Sequence, residues 1–348
     1  MKAATVSGTN TMSPQTKKIF LRRFSKLTCI ATLMLIYVGG LVTSTGSGLS
    51  VPDWPLSYGM LFPPMVGGVF FEHGHRMVAT VVGFLMLCLV ISLHYLEDKD
   101  KGWIKKLSLA ALGAVILQGV LGGITVSFYL PTAISVSHGV LAQTFFVLTI
   151  ILAYSESTER KERLAAEQNS KHTAFLRACL ILMILIYAQL ILGAIMRHTA
   201  SGLAIPDFPT MGGEWFPRFD HKMLVWINVQ RFDMNLDPVT MNQIIIHFLH
   251  RLGALLLTVW VIYLNVLASR HCKNNTLINR SLKSFNLVFI AQIILGMTTV
   301  LTAKEPYITS LHVVTGAGLL GLATLLCLRA SPLSWLHFKK VIQTPQLA

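Results

Sequence analysis

Four histidines recur as two pairs, one pair in each half of the chain. In the first half His75 is followed about 62 residues later by His138, and in the second half His250 is followed at the same interval by His312. Each lies near the end of a long apolar segment. Two imidazoles supplied by two membrane helices are an arrangement that grips a haem iron from both sides. The spacing therefore predicts two bis-histidine haem sites within a membrane.

The two predicted sites differ at one position that could handle protons. Glu72 lies three residues before His75, whereas the corresponding position of the second half is His247. A carboxylate at that spacing lies on the same helical face as the histidine, where it could take up a proton or stabilise positive charge beside a bound haem. This difference suits one reacting haem and one electron-transfer haem. The alternative is that Glu72 only caps its helix, where the helix dipole favours a negative charge.

Four basic residues are candidates for binding the propionates of a haem. Arg76 and Arg251 each follow a histidine directly, and Arg197 and Lys304 lie at the outward ends of the fifth and seventh apolar segments. A guanidinium can pair with a carboxylate through two parallel hydrogen bonds. The alternative for all four is an interfacial side chain that extends its charge to the membrane surface.

Zinc is the main competing metal. It prefers three or four nitrogen, sulfur or oxygen ligands in a closed tetrahedral arrangement. Each half offers two histidines, with no cysteine nearby and no second carboxylate at the same depth, so haem is the better fit. The 5 cysteines include no CxxC motif, which makes a thiolate metal site a poor interpretation.

Membrane helices must carry these residues. The chain of 348 residues is 53% hydrophobic and 13% charged, whereas soluble domains average about 25% charged residues. Eight apolar stretches are long enough to span a bilayer as helices, and the alternation typical of a β-barrel is absent. These stretches cover residues 27–46, 71–95, 107–127, 132–154, 173–196, 241–268, 281–302 and 306–329.

The basic residues predict the orientation of the spans. About 22 of the 29 Lys and Arg residues lie in the two tails and in the connections after the second, fourth and sixth spans. The positive-inside rule places that side, with both termini, in the cytoplasm. The histidines then lie toward the outer face of a bacterial-type inner membrane. The net charge of +14 is scattered over short loops, so a nucleic-acid partner is not expected.

The chain also repeats itself. Residues 45–55 align with 199–209 and residues 118–122 with 292–296, with about 21 extra residues in the second outward loop. Four spans per repeat is an even number, so both halves cross the membrane in the same direction. We therefore expect an all-α protein built as two tandem four-helix bundles, related by a pseudo-twofold axis near the membrane normal. The predicted units are a cytoplasmic tail (1–26), an N-terminal repeat (27–154), a cytoplasmic linker (155–172), a C-terminal repeat (173–329) and a cytoplasmic tail (330–348).

Glutamine and glycine recur four residues apart in three of the spans. The pairs are Gln118/Gly122, Gln189/Gly193 and Gln292/Gly296. Glycine lets helices approach closely and glutamine can hydrogen-bond across them, so these pairs favour a role in helix packing.

Together these features resemble the haem A synthase family. The resemblance spans residues 20–330 and rests on the Glu-x-x-His-Arg motif at 72–76, the His-Arg at 250–251, the partner histidines, and two Gly-Leu-x-x-Pro-Asp loops. Some members carry a cysteine pair in the first outer loop. Residues 47–70 of this chain contain no cysteine, so it resembles the cysteine-free branch.

The resemblance implies an oxidoreductase that converts the C8 methyl of haem O to a formyl group by successive hydroxylations, giving haem A for cytochrome oxidase. It also implies that His75 and His138 hold haem O and that Glu72 is catalytic. His250 and His312 would ligate a resident haem b. The implied partners are the synthase that supplies haem O, a membrane electron acceptor and cytochrome oxidase assembly factors, and a homo-oligomer is possible.

Two other functions fit parts of the pattern. A di-haem b electron carrier would need no Glu72, and such carriers tend to place their haems at two depths to cross the bilayer. A haem transporter or chaperone would bind haem without chemistry, and the sequence separates it only weakly from the enzyme.

Overall fold

The computed structural model describes residues 13–97, 102–165 and 173–331. Within these ranges the chain forms ten α-helices and no strand beyond two isolated bridges. The helices are α1 (Pro14–Ser44), α2 (Gly68–Leu96), α3 (Gly102–Ser127), α4 (Thr132–Ser155), α5 (Thr158–Ala165), α6 (Thr173–His198), α7 (His221–Asp233), α8 (Met241–His271), α9 (Thr276–Leu301) and α10 (Pro306–Ala330).

Eight of these helices are long and apolar enough to cross a membrane, and they coincide with the eight predicted spans. The prediction of an all-α integral membrane protein is therefore confirmed. Helix α1 begins at Pro14, well before the predicted start of its apolar stretch at residue 27. Charge marks where the apolar layer ends, whereas a helix continues for as long as its backbone hydrogen bonds are made.

Two short helices lie outside the predicted spans. Helix α5 occupies part of the predicted linker, and α7 lies in the extra residues of the second outward loop. Neither is long enough to span a bilayer, so a search for apolar stretches passes over both. The predicted tail 330–348 lies outside the described residues from residue 332 onward.

Local signals explain where several helices begin. The side chains of Ser13, Asp220, Asn275 and Glu305 each accept a hydrogen bond from a first-turn backbone N–H of the following helix. Such acceptors satisfy donors that have no partner within the helix. Proline at the first position of α1 and of α10 lacks an N–H that would otherwise need a partner there.

Each half packs its four spans as a ring. In the first half α1 packs on α2, α2 on α3, α3 on α4 and α4 on α1, so α2 and α4 lie diagonally opposite. The second half repeats this order with α6, α8, α9 and α10, although α8 and α9 touch only lightly. Contacts of α1 with α10, of α4 with α6 and of α4 with α10 join the halves. This packing agrees with two four-helix units, and the axis that relates them stays a prediction.

The apolar core of each half lies on one side of the paired histidines. In the first half it contains Val82, Met86 and Leu89 of α2 and Phe145 of α4, all of which follow the histidine of their own helix. The second half has a corresponding cluster that includes Leu257, Val261 and Leu320. Tight apolar packing therefore fills the predicted cytoplasmic side, and the histidines lie beyond it at the outward end of each ring.

Helix α5 ties the two halves together at the opposite end. Arg163 donates to the hydroxyl of Tyr154 at 2.8 Å and to the carbonyl of Leu328 at 3.2 Å. Glu159 accepts two hydrogen bonds from Arg329 of α10, at 2.8 and 2.5 Å. Residues 158–165 of the predicted linker therefore form a helix that is hydrogen-bonded to both α4 and α10.

The predicted orientation can be tested with single cysteines. Leu61, with 72% of its surface exposed, lies between α1 and α2, and Lys273 lies exposed between α8 and α9. In intact cells a membrane-impermeant maleimide should label Leu61→Cys, and it should label Lys273→Cys only after the membrane is opened. The unsubstituted chain provides the background from its 5 native cysteines. The reverse labelling order would overturn the assignment of the termini to the cytoplasm.

Candidate functional site

The structure brings the predicted histidines together in the expected pairs. His75 on α2 and His138 on α4 lie near the starts of diagonal helices, close enough that a charge on one ring acts on the other. His250 on α8 and His312 on α10 have the same relationship in the second half. Each ring of four helices therefore carries two imidazoles at its predicted outward end.

Every one of the four imidazoles lies against a glycine of the neighbouring helix. A β-carbon placed on that glycine would approach Cε1 of the histidine as its nearest contact. The pairs and distances are Gly39–His75 (3.0 Å), Gly122–His138 (3.5 Å), Gly193–His250 (3.2 Å) and Gly296–His312 (3.1 Å). Three of these distances are tighter than nine in ten real contacts of a β-carbon, so a side chain at these glycines would push the ring by a few tenths of an ångström.

The ring nitrogens are largely unoccupied. The Nδ1 atoms of His75, His138 and His312 are buried without a hydrogen-bond partner among the described residues. Only His250 has a side chain within reach, because Nε2 of Gln189 lies 3.2 Å from its Nδ1. Buried polar atoms without hydrogen-bond partners are uncommon in folded proteins, because leaving such an atom unpaired costs free energy. Two such imidazoles close to each other on diagonal helices suit a ligand that bonds to nitrogen, as haem iron does.

The donor set does not suit a bare metal ion. Within residues 13–97, 102–165 and 173–331 no three side chains of His, Cys, Asp or Glu are grouped so that they could hold one. A structural zinc ion needs four such ligands and a catalytic zinc ion three. Two axial nitrogens suffice for a haem, since the porphyrin supplies the other four.

The glutamine and glycine pairs serve these histidines as well as helix packing. Gln118 donates from Nε2 to the carbonyl oxygen of His138 at 2.7 Å, and Gln189 donates to that of His250 at 2.8 Å. In each case the glycine four residues later faces the ring of the same histidine. The predicted packing role is therefore only part of what these residues do: the glutamine holds the backbone of the histidine and the glycine makes room for its imidazole.

Glu72 holds the first outer loop onto α2. The side chain is buried, with 4% of the residue exposed. Its Oε2 accepts a hydrogen bond from the backbone N–H of Val51 at 2.9 Å, and its Oε1 forms an ion pair with Arg76 at 2.7 Å. No acidic residue lies in the first turn of α2. The helix-cap alternative for Glu72 is therefore wrong, because its carboxylate is bound to the loop and not to the start of its own helix.

His247 occupies the corresponding position in the second half. The backbone N–H of Ile205 lies 3.1 Å from its Nδ1, and Nε of Arg251 lies 3.2 Å from its Nε2. Val51 and Ile205 are aligned residues of the repeat. The two halves thus build the same attachment between loop and helix with different side chains.

The two arginines that follow a histidine also bind the outer loops. Arg76 donates to the carbonyl oxygens of Asp53 and Leu56, both at 2.7 Å. Arg251 donates to those of Ile205 at 3.0 Å and Asp207 at 2.9 Å. This role in holding the loop was missed at the sequence level, and propionate binding by these two residues stays a prediction.

Arg197 and Lys304 lie in different surroundings. Arg197 reaches from α6 to α1, where it donates to the carbonyl oxygen of Gly40 at 2.5 Å and to Oγ of Ser44 at 2.8 Å. Burial lowers the pKa of Lys304, and the nearby charges of Arg231 and Arg197 lower it further. No carboxylate within the described part of the chain forms an ion pair with Lys304. Lys304 is still exposed overall, so its cation is available to an anionic group.

Comparison with known proteins places this arrangement in a family. The profile of the family described as COX15-CtaA, cytochrome oxidase assembly protein, matches residues 22–68 and 65–324. The chain belongs to this family. The match covers all nine candidate residues: Glu72, His75, Arg76, His138, Arg197, His250, Arg251, Lys304 and His312.

Individual relatives cover most of the chain. A heme A synthase of Alkalihalophilus pseudofirmus is 29% identical over 299 residues, which are 84% of this chain and 91% of the relative. One of Bacillus licheniformis is 30% identical over 266 residues, or 73% and 77% of the two chains. One of Listeria monocytogenes is 26% identical over 318 residues, or 90% and 96%. The recognition of the haem A synthase family from its motifs is therefore confirmed.

In this member of the COX15-CtaA family the outer loops are ordered by aspartates. Asp53 accepts hydrogen bonds from the backbone N–H groups of Tyr58 at 2.7 Å and Gly59 at 2.8 Å, and that of Gly59 contributes most to lowering the pKa of Asp53. Burial alone would raise the pKa of Asp207, but hydrogen bonds from Gly213 and Gly212 outweigh it and the pKa is lowered. The aligned aspartates thus hold their loops as carboxylates.

His73 was not singled out in the sequence. Its Nδ1 lies 2.8 Å from Oγ of Ser57 in the first outer loop, while its Nε2 is buried without a partner. No signal in the sequence marks this role, because the loop contact of the neighbouring Arg76 is itself visible only in the structure.

Asp53→Ala should loosen the first outer loop, because two backbone N–H groups lose their acceptor. Hydrogen exchange of residues 51–60 should speed up, while Asp207→Ala as the matched control should affect residues 207–213 instead. The pKa of Asp53 is lowered from its usual value of 3.8, so its carboxylate is protonated, and the acceptor lost, only below that pH. Protection of the loop from proteolysis should therefore stay constant between about pH 5 and 8. A loss of protection near pH 6 would contradict the aspartate as the group responsible.

Proposed function

We propose that this chain oxidises the C8 methyl of haem O to a formyl group and so produces haem A. Each of two successive hydroxylations replaces a C–H bond of the methyl group by a C–OH bond with oxygen from water, releases two protons and passes two electrons to the membrane acceptor. Loss of water from the resulting diol leaves the formyl group. The observation that carries the proposal is the pairing of four glycine-backed imidazoles in a chain that resembles proteins named heme A synthase.

The N-terminal half is proposed as the substrate site. His75 and His138 face each other from α2 and α4, and their unpartnered nitrogens suit axial ligation of haem O from both sides. Gly39 and Gly122 fix the space that each ring occupies. Fixed rings orient the porphyrin, and orientation of the reacting methyl relative to protein groups is a large part of what a site contributes to rate.

The C-terminal half is proposed as the site of a resident haem b. His250 and His312 would hold it, and the group would supply one-electron transfer at that position. Gln189 fixes His250 through both its backbone carbonyl and its Nδ1. Arg197 and Lys304 lie on the same outward side, and Lys304 suits a propionate because no described carboxylate is paired with it. Arg76 and Arg251 are weaker candidates for propionates because loop carbonyls occupy them.

Glu72 has two possible contributions to turnover. Its carboxylate lies one helical turn from His75, where negative charge would stabilise a cationic carbon of the substrate and accept a proton from it. The same carboxylate holds Val51 and Arg76, and thereby the loop above the site. Replacement by glutamine distinguishes the two, since an amide oxygen can still accept the hydrogen bond from Val51.

The proposed setting follows from the orientation of the spans. Both termini lie on the cytoplasmic side of a bacterial inner membrane, and both haem sites lie toward its outer face. Haem O comes from its own synthase, electrons leave to a membrane acceptor, and the product passes to assembly factors of cytochrome oxidase. A homo-oligomer is compatible with this arrangement.

Variants of the histidines and their glycines test the assignment of the two sites. His312→Ala and Gly296→Val should reduce bound haem b, since one removes the ligand and the other displaces its ring. His75→Ala and His138→Ala should impair conversion of haem O and keep most haem b, because contacts in separate units behave nearly independently. The matched control is Gly318→Val, because an added β-carbon at Gly318 would meet nothing within 4 Å.

The measurement is chromatography of acid-extracted haems from each purified variant. Haem b with haem O, a hydroxylated haem or haem A supports the enzyme. Two haem b per chain and no other haem would support the di-haem electron carrier instead. Loss of haem b in the N-terminal variants alone would exchange the roles of the two halves.

Glu72→Gln should lower the yield of haem A by about two orders of magnitude, the usual scale for lost acid–base assistance. Unconverted haem O or a hydroxylated haem should accumulate on the protein. His247→Gln, which changes the same position in the second half, is the matched control and should leave conversion near normal. Hydrogen exchange of residues 51–57 reports the loop in both variants. Normal haem A yield in Glu72→Gln would remove the catalytic role and leave only the structural one.

A further inference from the structure

The first outer loop places an indole beside one of the proposed substrate ligands. A β-carbon on Gly123 of α3 would lie 2.6, 2.8 and 2.9 Å from three ring atoms of Trp54. The indole therefore lies directly on the backbone of α3, where no side chain larger than hydrogen fits. The preceding residue, Gly122, is the one that faces the ring of His138. Two adjacent glycines of α3 thus receive an imidazole from α4 and an indole from the loop.

The loop that carries Trp54 is also anchored on α2, the helix that packs against α3. Arg76 of α2 binds the carbonyl oxygens of Asp53 and Leu56, which flank Trp54 in the chain. Arg76 directly follows His75. The loop and Trp54 therefore join two adjacent helices, at Arg76 beside His75 on α2 and at Gly123 on α3, next to the glycine that contacts His138.

These contacts leave part of the Trp54 side chain free. About half of its surface, 48%, stays exposed although one side lies on Gly123. A flat aromatic surface with one free side is what a planar, largely apolar molecule stacks on. A haem held between His75 and His138 is such a molecule.

The second half lacks this arrangement. The residue aligned with Trp54 is Phe208, and the one aligned with Gly123 is Met297. Phe208 lies with its ring centre 5.7 Å from the guanidinium carbon of Arg251. Met297 therefore carries a side chain at the position where Gly123 has none. An indole that lies on a glycine of the neighbouring helix is therefore a feature of the N-terminal half and not of the C-terminal half.

We propose that Trp54 is a substrate-binding residue of the N-terminal site, whose indole, seated on Gly123, stacks against haem O and helps to retain it. This proposal rests on the assignment of haem O to the N-terminal half. It adds a contact that the histidines do not provide, since axial ligation alone does not distinguish one haem from another. The haem b site proposed for the C-terminal half has no such indole, so binding of haem b there should not depend on Trp54.

Titration of purified protein that retains its resident haem with detergent-solubilised haem O tests the proposal. Trp54→Ala should weaken haem O binding about tenfold, the scale of one well-packed aromatic contact. The KM for haem O should rise while kcat at saturation changes little, because the contact is made in the ground state as well. Trp54→Phe should recover part of the affinity. Phe208→Ala, the matched control, should bind haem O like the unsubstituted chain.

Gly123→Ala separates stacking from a general effect on the loop. The new methyl group displaces the indole, so this variant should weaken haem O binding in the same direction while Trp54 is intact. In the Trp54→Ala background it should have no further effect, because both changes act through one contact. Tryptophan fluorescence gives a readout independent of turnover: the quenching by haem O should be smaller in Trp54→Phe than in the parent chain.

The outcomes are distinct for each part of the argument. Unchanged haem O affinity in Trp54→Ala, with affinity lost in His75→Ala, overturns the role of Trp54 and leaves the proposed function standing. Unchanged affinity in both variants overturns the substrate site itself. Additive effects of Trp54→Ala and Gly123→Ala, or an equal loss in Asp53→Ala, would assign the effect to loop order and overturn stacking.

Discussion

Space for an imidazole inside a packed helix bundle is the constraint on which this structure depends. Membrane helices associate through close packing, and a histidine that points inward takes up volume that a neighbouring side chain would otherwise fill. Each of the four paired histidines contacts a glycine on the preceding span. The space for the ring is therefore made by that neighbouring helix and not by the histidine's own helix. The tight apolar packing on the predicted cytoplasmic side can then continue without adjusting to the rings.

A second constraint comes from the outer loops, which close the same end of each bundle. Glu72 and His247 occupy equivalent positions, yet they are not equivalent acceptors. The two oxygens of the carboxylate accept from Val51 and Arg76 at once. A neutral imidazole has a single acceptor nitrogen, so only one of the two contacts of His247 can be a full hydrogen bond. The first loop is therefore held by a charged attachment and the second by a weaker neutral one, which its additional helix α7 supplements through the buried contacts of Met223 and Ile227.

Much of this was predictable because the signals are strong and local. The eight spans follow from length and hydropathy, and the pairing of the histidines follows from their recurrence in both repeats at matched spacing. The contacts of Arg76 and Arg251 were not predictable in the same way. An arginine beside a ligand suggests a propionate, and nothing in the sequence shows that loop carbonyls reach it first. The role of Gly39 was hidden for a similar reason, since the glutamine four residues before the other three glycines is replaced there by Leu35.

The differences between the halves concentrate at the outward mouth of the bundles. The scaffold of helices, glycines and histidines is kept, while Glu72 stands against His247, Trp54 against Phe208 and Gly123 against Met297. A duplicated site that needed only to bind two identical groups would gain nothing from divergence at its mouth. Divergence there changes what can enter, how firmly it is held and which charges surround it, whereas the buried half of each bundle sets only the position of the rings. A substrate must enter and leave, and a resident cofactor must stay. The proposed assignment of a substrate site to the N-terminal half, with Glu72 and Trp54 at its mouth, and of a resident site to the C-terminal half, with His247 and Phe208 there, agrees with this divergence.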